Sequence, residues 1–270
     1  EAKTLTAAEV DSYLASVKEI AEGIKDAVKN AEQEVYSFQV NTCYQNAAMH
    51  KSECLGQVPE NVQNYYAPAF EELDADMMQV YMPFMMDSHI ESAEQAKKMC
   101  DQFDAISKKA DALLAASKKA STLVEDITAT LASLDAEIAK IMKDFPEYDL
   151  SAVNESAEYW KNLAAEFAQA PADPTAPYTE SKIDGFVESF GYFKVNISDL
   201  YAQAQKDEWM AQFNAKYTPA SEKMNELVSI LDAQCPTVGS KYFTQLDDLN
   251  AELTQMYMSL YMGELTQETF

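Results

Sequence analysis

The sequence predicts an all-α fold, an elongated antiparallel helical bundle with coiled-coil-like packing, built on an internal duplication. Three observations predict it. In 270 residues there are only 6 Gly and 9 Pro, while Ala, Leu, Lys, Glu, Gln and Met are abundant, so helix breakers are scarce and turns few. Apolar residues recur at three- and four-residue spacing over long runs, which marks one face of a helix and not a strand. Finally, residues 66–86, YAPAFEELDADMMQVYMPFMM, are echoed by residues 242–262, YFTQLDDLNAELTQMYMSLYM.

In the two repeated stretches the apolar positions Phe70, Leu73, Met77, Val80 and Phe84 correspond to Leu246, Leu249, Leu253, Met256 and Leu260. Identities include polar Gln79 with Gln255 as well as Tyr66 with Tyr242 and Tyr81 with Tyr257. A second echo aligns residues 10–17 with residues 183–190, so the repeated unit is at least two helices long. The expected organisation is a first helical unit over 1–90, a central long-helix segment over 91–170, a Pro-rich linker over 171–178 and a second helical unit over 179–270.

The elements follow in order. Thr6 and Glu9 have the form of a capping box, so a helix starts there. Its core stripe is Val10, Leu14, Val17, Ala21, Ile24, Val28, Ala31, Val35 and Phe38, close to the 3.5-residue period of coiled-coil packing. The chain is expected to turn at Gly56 and Pro59 and to run back through the first copy, with a kink or early end at Pro83. Ser88 and Glu91 signal another start, and a run free of Gly and Pro then extends to Phe145, its apolar stripe including Cys100, Phe103, Ile106, Leu123, Ile127, Leu134 and Ile141. A shorter helix through Trp160, Leu163 and Phe167 precedes the prolines of residues 170–177. The second unit opens at Thr179 or Ser181, its first helix is expected to reach about Tyr217, Thr218 and Pro219 start another, and Cys235 to Gly239 turn the chain into the last.

The formal net charge is −25, and every one of the 20 basic residues is Lys. That balance repels nucleic acid and anionic membranes, leaves cations and basic protein partners admissible, and removes the bidentate Arg forks aimed at phosphates. A homo-oligomer is compatible with the pattern. No apolar run reaches the roughly 20 residues of a membrane span. Four Cys, sequons at Asn154 and Asn196, and a first residue other than Met together predict a secreted or extracellular protein.

Cys43 is expected to pair with Cys100, because helices turning near residues 57 and 88 bring residue 43 level with residues 100–105. Cys54 would then pair with Cys235, the rivals being a Cys43–Cys54 bond and four free thiols in a cytosolic protein. His50 and His89 are read without a ligand partner at i+3 or i+4, and C-x-x-C is absent, so no metal and no cofactor is predicted. The acidic blocks at 71–76 and 247–252 lack the curved loop of a calcium site and are read as a solvated or lysine-paired face. The remaining concentration is apolar and adaptable: Tyr66, Met78, Met82, Met85, Met86, Tyr257, Met258, Tyr261 and Met262 are the candidate lining of a groove or interface. No nucleophile elbow, P-loop, dinucleotide fingerprint or H-E-x-x-H occurs. The expected role is therefore non-enzymatic, a binding or structural part in protein–protein interaction, with a carrier of an apolar small molecule or lipid as the alternative.

Overall fold

The computed structural model describes residues 6–87, 90–234 and 236–262, with the backbone alone for residues 87, 234, 236–241, 260 and 261. These residues form seven helices and no strand: α1 (Ala7–Leu55), α2 (Glu60–Asp87), α3 (Ala93–Asp144), α4 (Ser151–Phe167), α5 (Glu180–Ile197), α6 (Leu200–Gln234) and α7 (Pro236–Tyr261). The all-α bundle follows from the sequence pattern.

Local signals explain most ends. The Thr6 hydroxyl accepts from the Glu9 amide at 3.4 Å while the Glu9 carboxylate accepts from the Thr6 amide at 2.8 Å, closing the capping box. From there α1 runs 49 residues, roughly 70 Å, to Gly56. The cap expected at Ser88 lies outside the described residues. Instead α3 starts after Ser92, whose hydroxyl accepts from the Gln95 amide at 3.2 Å, and Gln95 reaches back to the Glu91 amide at 3.0 Å. Thr179 caps α5 in the same way, its hydroxyl accepting from Lys182 at 3.4 Å. The prolines of residues 170–177 lie outside any helix.

Two expected helix boundaries at proline, the early end at Pro83 and the start at Pro219, are corrected. The helix α2 does not stop at Pro83 but continues to Asp87, and α6 passes through Pro219 instead of starting there. A proline forfeits one hydrogen bond to the carbonyl four residues earlier, and those carbonyls belong to Gln79 and Ala215, exposed residues whose C=O can turn to water. The break falls at Ser198 and Asp199, where the Ser198 hydroxyl donates to the Val195 carbonyl at 2.9 Å and the Asp199 carbonyl accepts from the Gln203 amide at 2.9 Å.

The chain divides into two compact units, one of residues 1–129 and 158–191, the other of residues 130–157 and 192–270. In the first unit α2 returns against α1, and α3 lies parallel to α1. The parallel register shows in a near-constant offset: Cys43 bonds to Cys100, His50 meets Asp111 and Gln57 meets Lys118, separations of 57 and 61 residues. The core of this unit is Val40, Val62, Tyr66, Phe70, Met77, Phe103, Ile127, Phe167, Ile183 and Phe190, all at most 2 % exposed. Each such side chain contributes about 1.5–3 kcal/mol of burial. In the second unit Tyr201 donates to Asp144 at 2.8 Å and packs on Phe145, with the Lys140 ammonium 3.6 Å above its ring. There α6 packs on α7 through Phe213, Tyr217 and Tyr257.

The repeated stretches are both helical, and Phe70 and Leu246 are both buried, but other matched positions differ in exposure. Tyr66 is 0 % exposed and Tyr242 41 %; Leu73 is 4 % and Leu249 52 %. At the upstream echo the order reverses, with Val10 and Val17 exposed while Ile183 and Phe190 are buried. The likeness is one of sequence, and an internal duplication is not visible as a shared environment.

Candidate functional site

The predicted core stripe of α1 splits in two. From Val40 onwards its inward positions Val40, Ala47 and Cys54 are buried. Before that point Val10, Leu14, Val17, Ile24, Val28, Val35 and Phe38 are 41–74 % exposed, and no residue from 6 to 32 is even half-buried. Element length explains the division. The returning helix α2 has 28 residues against the 49 of α1, and α3, offset by 57–61, begins at residue 93, level with residues 32–36. Nothing among the described residues of this unit covers what lies before. Tyr13 and Ile20, 63 % and 62 % exposed, widen the stripe to three positions per heptad. That width suits a helix in a bundle better than the narrow seam of a two-stranded coil.

The candidate apolar residues fall in both units. Tyr66 belongs to the core, its hydroxyl donating to the Tyr178 carbonyl at 3.0 Å. Met78, Met82, Met85 and Met86, 40–78 % exposed, stud the last turns of α2. In the other unit Tyr257 packs on Tyr217 at 5.4 Å, Met258 and Met262 are exposed, and the side chain of Tyr261 lies outside the described residues. A separate cleft of about 850 Å³ lies between α2, α3 and the prolines, lined by Leu73, Leu113, Ala116, Pro174 and Tyr178. The Tyr178 phenol over it is raised to about 12 by burial and by its hydrogen bond with Glu166.

The acidic block of α2 is lysine-paired in part, Asp74 with Lys51 and Asp76 with Lys109, both at 2.7 Å. Asn154 and Asn196 are exposed on α4 and α5, open to modification. Cys43 and Cys100 form a disulfide with Cα atoms 5.4 Å apart, while Cys54 is a buried free thiol and its expected partner Cys235 lies outside the described residues.

One cluster was not anticipated. His50 does have a ligand-bearing neighbour one turn on, Cys54, which corrects the reading of this histidine as unpaired. The His50 Nε2 lies 2.8 Å from Asp111 Oδ1 and 3.7 Å from Cys54 Sγ, and that sulfur is 3.8 Å from the same carboxylate oxygen. Burial first, then the negative charge and hydrogen bond of Asp111, push the Cys54 thiol up. The i, i+4 spacing of His50 and Cys54 was legible; Asp111, on another helix, was not. No helix among the described residues is long and apolar enough to cross a membrane. No protein-family model, curated protein or solved structure matches the chain.

Proposed function

We propose that this is a non-enzymatic binding protein, secreted or surface-displayed, that captures an amphipathic helix with a basic polar face along residues 7–38 of α1. The observation that carries the reading is the uncovered heptad stripe from Val10 to Phe38. An exposed apolar face of this length marks an interaction surface, and a stripe at this spacing accepts a helix. Charge selects the partner: residues 7–38 hold seven carboxylates and three lysines, and the chain carries −25 overall, so a second copy is repelled and a basic helix attracted. The Cys43–Cys100 disulfide supports an oxidising compartment.

The test titrates the full chain with a synthetic amphipathic helix bearing Lys-rich flanks, beside an acidic-flanked helix of the same apolar face. The reading expects binding of the basic helix alone, weakened at least tenfold by Val17→Glu with Ile24→Glu, and a monomer in sedimentation. A dimer abolished by those substitutions makes a second copy the occupant and overturns the partner class. Equal indifference to both helices overturns the reading itself.

A carrier of apolar small molecules is the second reading, favoured by the cleft beneath Pro174 and Tyr178 and not by the methionines. Native mass spectrometry of protein from its own source tests it, since a carrier retains ligand mass and a helix-binding protein does not.

A further inference from the structure

We infer that His50, Cys54 and Asp111 form a binding site for a borderline-soft divalent cation, zinc by its ligand chemistry. The inference is independent of the helix-binding reading. Two helices build the site: His50 and Cys54 project from one face of α1 a turn apart, and the parallel register of α3 delivers Asp111 to them.

Three features point to a cation. First, the donors converge. A tetrahedral zinc with its usual bond lengths separates sulfur from nitrogen or oxygen by about 3.5 Å and nitrogen from oxygen by about 3.3 Å. Here the sulfur lies 3.7 Å and 3.8 Å from the other two, and His50 and Asp111, now hydrogen-bonded at 2.8 Å, need only open by about half an ångström. Second, the mix of sulfur, nitrogen and oxygen suits zinc and not magnesium or calcium, which take oxygen alone. Third, access exists. His50 and Asp111, with Cys54 buried behind them, line an open pocket of about 570 Å³ that also presents Asn46, Glu53, Asp104 and Lys108, so three protein ligands leave a fourth position for water on the pocket side.

The competing reading is a nucleophile with a His–Asp relay. Such a relay uses both ring nitrogens, one towards the nucleophile and one towards the carboxylate. Here sulfur and carboxylate both meet the same atom, His50 Nε2. The arrangement is a ligand triangle and not a relay.

The test uses the 270-residue chain with its disulfide intact. Cobalt(II), a spectroscopic stand-in for zinc, is expected to give a sulfur-to-metal charge-transfer band that Cys54→Ser removes. His50→Gln and Asp111→Asn should each weaken binding at least tenfold, with magnesium and calcium failing to compete. Because these variants could disturb folding, the unsubstituted chain supplies a second readout: zinc should slow alkylation of Cys54, followed by peptide mass, at least tenfold. Absence of the charge-transfer band, or an alkylation rate at Cys54 unchanged by saturating zinc, overturns the site, as does binding that survives Cys54→Ser.

Discussion

Cys43 and Cys100 are joined three residues after Val40, the first buried side chain of α1. The bond therefore sits at the boundary between the half of α1 that α2 and α3 cover and the half that they leave in water. It fixes the parallel register that places Ala93, the first residue of α3, no earlier than residue 32 of α1. The exposure of the apolar stripe from Val10 to Phe38 follows from that register and from the shortness of α2.

Removing the bond should destabilise the first unit. Its two ends are 57 residues apart in sequence, and closing a loop of that size in the unfolded chain is worth about 4 kcal/mol in the chain-entropy account. Denaturant unfolding of Cys43→Ser with Cys100→Ser should show the lower midpoint, with the helix content of the folded state unchanged.

Apolar side chains on the two halves of the bundle should respond in opposite ways. Phe70 is fully buried, so Phe70→Ala should cost about 3–5 kcal/mol. Val17 and Ile24 are 61 % and 60 % exposed, so Val17→Glu with Ile24→Glu should shift the isolated chain by no more than about 0.5 kcal/mol. Thermal unfolding of the two variants side by side measures the contrast.

Alkaline pH should loosen the aromatic cluster around the prolines. The Tyr66 hydroxyl donates to the Tyr178 carbonyl, and Tyr65, Phe167 and Phe186 pack on the Tyr178 ring. Burial raises Tyr65 and Tyr66 above the ordinary phenol range and, with Glu166, raises Tyr178 to about 12. A group raised in the folded state stabilises fully below its unfolded pKa, about 10 for tyrosine, and the contribution fades as pH climbs through the folded value. Stability should therefore fall between about pH 10 and 12, with the phenolate absorbance of these tyrosines appearing only as the unit opens. Tyr66→Phe should remove part of that dependence.

Much of this was legible in the sequence. Thr6 and Glu9 announced the start of α1, Gly56 its end, and the turn positions alone brought Cys43 level with Cys100. Other parts were not. Periodicity reveals that Val10 to Phe38 share a face, but whether a partner covers that face depends on the lengths of other helices. The helices run through Pro83 and Pro219 without ending there because the freed carbonyls belong to exposed residues. The echo between residues 66–86 and 242–262 implies a repeated unit, yet Leu73 and Leu249 stand in different surroundings. Asp111 joins His50 and Cys54 only through tertiary register, which no local spacing records.

Amide hydrogen exchange along α1 tests the central claim most directly. In the monomeric chain residues 7–32 should exchange far faster than residues 40–55, and adding the basic amphipathic helix should slow exchange across residues 7–38 alone. Protection of residues 7–32 equal to that of residues 40–55 in the isolated chain would mean that the face is already covered, and would contradict the account.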